Sequence, residues 1–194
     1  MKYINLQDIL QPGQNYILDY AREFGKEIQA VKHDKATNTC FEKADLINFD
    51  PMQVVKSVYL WDNNGKFYGF VAPELGTRER PLKFDEPLIK RIFREDKIQA
   101  KKLMGLRNSF SPTGMEHGTF TPFVPDYYFD GDGFTGTLDR IYVYGSQELN
   151  GKKADISIGG FGEESHKISV LLNYEDIYEG LNWKFPGKIE KFNL

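Results

Sequence analysis

The sequence predicts an α+β protein, a mixed and largely antiparallel sheet, curved or closed into a barrel, with helices against it. Two observations carry this expectation. Runs rich in β-branched and aromatic residues dominate the second half and follow one another through short turns, which favours antiparallel pairing over wound βαβ units. The chain has 194 residues, 40% of them hydrophobic and 14% aromatic, enough for one domain with a sizeable core and too short for two full domains. Residues 1–194 are therefore expected to form a single domain, with 1–29 as an N-terminal helical extension.

Taken in order, residues 15 to 30 carry Ile17, Leu18, Tyr20, Ala21 and Phe24 at helical spacing, and Cys40 to Leu46 reads as a second, short helix. Val54 to Trp61 and Lys66 to Ala72 read as strands of a hairpin, because Asn64-Gly65 between them tolerates the positive φ of a tight turn. Residues 85 to 106 show an apolar stripe of Leu88, Ile89, Ile92, Phe93, Leu103 and Met104, predicting helix with a break near Glu95-Asp96. Leu138 to Tyr144, Ala154 to Ile158 and Lys167 to Leu172 read as further strands. Asn173 can cap a short helix through Tyr178, with Glu175 and Asp176 well placed in its first turn.

Charge and cysteine content exclude several functions. The formal net charge of −3 argues against a protein that coats long stretches of nucleic-acid backbone. Locally, eight basic and four acidic residues between Lys83 and Arg107 give +4, leaving −7 elsewhere, so this segment is either a solvated helix face or a small RNA-facing patch. A lone cysteine, Cys40, cannot form an internal disulfide, and neither a membrane-spanning apolar run nor a secretory leader is present, so a cytoplasmic location is expected.

Among motifs, Gly131 to Gly136 matches GxGxxG, but a strand pattern follows where a dinucleotide site needs a helix. A calcium loop counted from Asp126 would place Thr137 where a bidentate Glu is required. His33, His117 and His166 lack zinc spacing, so no metal and no cofactor is expected. Nor does the sequence around Cys40 argue for a lowered thiol pKa.

Three segments carry candidate chemistry. Lys56 shares a strand face with Val54, Val58 and Leu60, while Val55, Tyr59 and Trp61 line the other. It is either a lysine snorkelling to the sheet edge or a fixed cation in a pocket. Gly118-Thr119-Phe120-Thr121-Pro122 is either an ordinary connection or a loop presenting backbone groups. Gly159-Gly160 to His166 is either a surface hairpin or a turn that aims His166 inward.

In this order, Val54-Val55-Lys56-Ser57-Val58, a helical region, the G-x-x-x-P loop Gly118 to Pro122, and Gly159-Gly160 leading to Asn173-Tyr174-Glu175-Asp176 resemble the YbaK-like aminoacyl-tRNA editing domains. These include free-standing deacylases and the insertion domain of bacterial prolyl-tRNA synthetases. Upstream, His33 and the Thr39 to Ala44 stretch show a looser likeness, and the resemblance spans roughly Ala30 to Tyr178. It implies a trans-editing deacylase that hydrolyses the ester of mischarged tRNA, Ala- or Cys-tRNA(Pro), or else a non-catalytic module binding a nucleotide, amino acid or charged tRNA.

The partners implied are the tRNA acceptor end and prolyl-tRNA synthetase, with no membrane; the oligomeric state stays open. The residues implied are Lys56, Gly118 and His166 for catalysis, with Thr119, Phe120, Thr121, Pro122, Gly159, Gly160, His33 and Thr39 binding substrate. On this reading the Lys56 amine, the 118–122 loop and the 159–166 turn are expected to meet around one hollow.

Overall fold

The structure, a computed structural model, describes residues 1–10, 13–61, 66–92, 104–105, 121–123, 137–159 and 162–193. It contains strands β1 (Lys2–Ile4), β2 (Gln29–Lys32), β3 (Val55–Trp61), β4 (Lys66–Pro73), β5 (Met104–Gly105), β6 (Thr137–Tyr144), β7 (Lys153–Ile156), β8 (Ile168–Asn173) and β9 (Ile189–Phe192). Its helices are α1 (Tyr16–Phe24), α2 (Cys40–Ile47), α3 (Glu86–Ile92), α4 (Gly162–Ser165) and α5 (Tyr174–Lys184). The α+β expectation holds.

Among the described residues the strands form two sheets rather than a closed barrel. One has the order β1-β2-β8-β7 and is antiparallel throughout; the other has the order β5-β3-β4-β6-β9. In the second, β4–β6 and β6–β9 are parallel, while β3 pairs antiparallel with β4 and β5. A bridge from Val54 to Asp155 joins the sheets where β3 begins. The main core takes Ala30, Ala154, Ile156, Val170 and Leu172 from the first sheet and Val55, Tyr59, Val71, Ile141 and Val143 from the second, closed by Ile17 of α1 and Ile177 and Leu181 of α5.

Each sheet also covers its outer face. Leu60, Phe70, Ala72 and Tyr142 pack with Ile89 of α3, and Val31 and Leu171 pack with Ile47 of α2. Strand alternation accounts for this division, since successive residues of β3 go to opposite clusters.

Three sequence expectations are corrected. The helix expected over 15–30 stops at Phe24, because Gly25 adopts a left-handed conformation (φ 61°), and Gln29–Lys32 instead pairs with β8. The helix expected over 85–106 cannot reach its end, because Met104–Gly105 pairs with Leu60 and Trp61; residues 93–103 lie outside the described set. The helix expected to close at Tyr178 runs on to Lys184. Gly180 within it lies so close to Phe123 and Tyr20 that a Cβ would sit 3.2–3.5 Å from their rings, which gives this mid-helix glycine a packing reason.

The remaining elements follow their local sequence. Asn173 occupies the cap position of α5 in extended backbone, without a side-chain capping bond. The hairpin tip at 62–65 and the glycine-rich 131–136 segment lie outside the described residues. α2 is set by a reciprocal capping box, in which Thr39 Oγ1 accepts from Glu42 N–H and the Glu42 carboxylate accepts from Thr39 N–H.

Candidate functional site

Lys56 lies at the start of β3, on the face away from the main core, and it does not snorkel into solvent. Its ammonium is ion-paired with Glu74 and donates to the Leu82 carbonyl at 3.0 Å, leaving the side chain about one quarter exposed (26%). The Glu74 side chain is fully buried. Antiparallel register puts it there: Lys56 opposes Ala72, and two residues further on Glu74 returns to the same face.

Glu74 is the hub of the corner. Its Oε1 accepts from Gly76 N–H (2.9 Å) and Leu82 N–H (2.6 Å), and its own N–H donates to Val54 O (3.0 Å). One carboxylate thus fixes both ends of the 74–82 loop and the amine beside it. The loop is tied to α2 by Arg78, whose Nη2 donates to both Asp45 carboxylate oxygens (2.6 and 2.7 Å) and whose guanidinium lies over Phe41. Gly76 is required by close approach, since a Cβ there would lie 2.2 Å from Arg80 O and 2.6 Å from Leu82 N. Gly76→Ala is accordingly expected to cost about 1–3 kcal/mol of stability in denaturant titration and to displace Leu82 from Lys56.

Cys40, the first residue of α2, sits close enough to this corner for its thiol to feel Lys56, Glu74, Lys43 and Asp155. Burial dominates and pushes the thiol up to about 11, so it is protonated at neutral pH and is not a thiolate nucleophile. Behind it, Lys43 pairs with Asp155 (3.0 Å) and donates to Ile168 O (3.2 Å), with Asp155 fully buried. The Ser169 hydroxyl supports the Asp155 carboxylate and also lies 2.8 Å from His33 Nε2. His33 is therefore a buried member of a network behind the site.

Burial first, then Lys43 and the chain N-terminus, hold His33 below its ordinary 6.5. The unfolded chain binds that proton more readily, so stability falls as pH drops below about 6.5 through the lower folded value. His33→Gln is expected to flatten this acid-side loss in chemical denaturation between pH 7 and pH 5.

Of the other expected site residues, Thr39 uses its hydroxyl as the cap of α2. His166 follows α4, and its carbonyl accepts from Thr37 N–H (3.3 Å), which brings it to the rim of the His33 network. Thr121 and Pro122 are buried, with both carbonyls accepting from the Tyr59 hydroxyl (2.6 and 3.2 Å). Gln14 Nε2 donates to Phe123 O (2.8 Å) and Ile158 O (3.1 Å), so the end of the 118–122 loop and the start of the Gly159 turn do meet. Gly159 has φ 87°, a conformation that favours glycine. Gly118, Thr119, Phe120 and Gly160 lie outside the described residues.

Among the described residues these groups fall in two places. Tyr59 and Lys56 are three apart on β3 and point to opposite faces, so the Lys56 corner and the 121–123/158–159 junction lie on either side of the strand. The residue that sequence reasoning missed is Glu74. An open groove of about 360 Å³ between β1, α1 and β2, lined by Tyr3, Leu18, Ala21, Lys26 and Ile28 among others, contains none of the expected residues. Among the described residues no group of three or more His, Cys, Asp or Glu is placed to hold a metal ion, and no helix is long and apolar enough to cross a membrane.

One antiparallel and one mixed sheet with helices on their outer faces and a lysine held by a buried carboxylate define the class: an α+β protein with a polar corner at the sheet junction. The same fold occurs in the crystal structure of a hypothetical protein (18% identity, TM-score 0.56, covering 91% of this chain and 97% of that one). It also occurs in the crystal structure of a proposed trans-editing enzyme for prolyl-tRNA synthetase (16% identity, TM-score 0.56, covering 95% and 98%). At these identities the likeness shows the fold alone, and it agrees with the YbaK-like architecture. No protein-family model and no curated protein matches the sequence.

Proposed function

We propose that this protein is a trans-editing aminoacyl-tRNA deacylase, hydrolysing the ester of tRNA(Pro) mischarged with alanine or cysteine. The observation that carries the reading is the Lys56 amine, partly exposed and held by a buried carboxylate in a fold shared with a proposed trans-editing enzyme. An aminoacyl ester is already activated, and its neighbouring ribose hydroxyl helps position the attacking water, so no dedicated nucleophile is needed. Protonated Cys40 fits that economy.

In this mechanism Lys56 holds the terminal adenosine by an N–H of its ammonium. A pocket sized for alanine or cysteine supplies discrimination that a proline-sized synthetase pocket cannot, because excluding a smaller side chain by binding alone is worth only about 1–3 kcal/mol. The enzyme would work in the cytosol beside prolyl-tRNA synthetase.

The test is ester loss from tRNA(Pro) charged with alanine, cysteine, serine or proline. Release of the small noncognate amino acids and sparing of Pro-tRNA(Pro) is the expected result. No release above buffer on any of them overturns the hydrolase reading, and tight binding of charged tRNA without release would assign the cleft to a binding module instead.

A further inference from the structure

We infer that Lys56 meets its substrate as a charge-compensated hydrogen-bond donor aimed at a ribose or ester oxygen, not as a phosphate anchor, and that Glu74 is the positioning residue that makes it so. This rests on the deacylase reading above and specifies which part of the charged tRNA end the corner recognises.

An ammonium has three N–H donors. The Leu82 carbonyl takes one, Glu74 is ion-paired with the amine, and among the described residues no other group is bonded to it. The carboxylate that fixes the amine also cancels its charge. Of the cations in α2 and the 74–82 loop, Lys43 pairs with Asp155 and Arg78 with Asp45, and Arg80 is matched in number by Glu79 on the exposed turn. With no net positive charge among these groups, the corner has little to offer a phosphate, whereas a fixed N–H suits a hydroxyl or carbonyl oxygen. Because Glu74 is buried, bonds Gly76 and Leu82 and is paired with Lys56, the amine is held in place by Glu74 and the Leu82 carbonyl before substrate arrives.

The salt dependence of binding tests this directly. Each phosphate neutralised on a single strand contributes about −0.7 to the slope of log K against log salt. Binding of tRNA(Pro) carrying a nonhydrolysable 3′-alanylamide is measured across salt for the native chain, Lys56→Met, Glu74→Gln and the double variant Lys56→Gln with Glu74→Gln. The inference predicts weaker binding for Lys56→Met, whose stranded Glu74 also changes the charge of the corner. Glu74→Gln should steepen the slope by about 0.7, because its lysine is uncompensated. The double variant, which keeps the corner neutral and its buried carboxylate removed, should keep the native slope even where Lys56→Met fails to fold.

Flattening of the slope by about 0.7 in the double variant, whose corner keeps its net charge, would make Lys56 a phosphate contact and overturn the inference. In turnover, Glu74→Gln should lower kcat at least tenfold with KM no higher; a raised KM at constant kcat would contradict a positioning role. The two readings fail separately. A native chain that hydrolyses nothing overturns the deacylase, while the slopes still decide how Lys56 binds.

Discussion

Lys56→Met is expected to lower kcat/KM for ester hydrolysis by about a hundredfold or more, as the loss of a preorganised donor does. Methionine keeps the length and the apolar contacts of the lysine stem and removes only the N–H groups. Because the change also strands Glu74, a fully buried carboxylate, it should destabilise the fold by about 3–5 kcal/mol. Lys56→Met combined with Glu74→Gln separates the two effects: the melting temperature recovers while hydrolysis stays low. Single-turnover release of alanine from Ala-tRNA(Pro) is the readout, and native rates in a folded variant would remove Lys56 from the reaction.

The second large effect is on stability. Lys43→Met leaves Asp155 buried without its cation and should cost about 3–5 kcal/mol at pH 7. The cost should shrink on acidification. Burial already raises the Asp155 carboxyl above its ordinary 3.8, and Lys43 is the chief influence holding it down. Without Lys43 the folded value rises further. The folded state then binds a proton that the unfolded chain releases, so stability is retained below the unfolded value and lost as pH rises through the folded one. Urea denaturation of the variant at pH 8 and pH 5 should show the smaller deficit at pH 5; an equal deficit at both would show that the lysine contributes packing rather than charge.

The features legible in the sequence were those set by short-range chemistry. Asn64-Gly65 between two apolar runs announced the β3–β4 pair, and period two put Lys56 on a face of its own. Glu74 was within reach of the same logic, since the register that opposes Lys56 to Ala72 also returns Glu74 to the amine, but a carboxylate just beyond a strand reads as an ordinary turn residue. Gly25 was an available stop signal for α1, outweighed by the apolar spacing before it.

What stayed hidden is nonlocal. The parallel pairing of β6 with both β4 and β9 depends on connections that no hydrophobic period reveals. Lys43 and Asp155 come from a helix and a strand far apart in the chain. Lys56 lies an odd number of residues from Tyr59, the side chain that holds the 121–123 backbone, so alternation sends them to opposite faces.

The most direct measurement is NMR chemical-shift mapping of the full chain with 3′-alanylamido-3′-deoxyadenosine, which mimics the charged end of tRNA and cannot be hydrolysed. The account predicts shifts concentrated at Cys40, Lys56, Glu74 and Leu82. Shifts confined to the groove of Tyr3, Leu18 and Ile28, with the Lys56 corner unmoved, would contradict it.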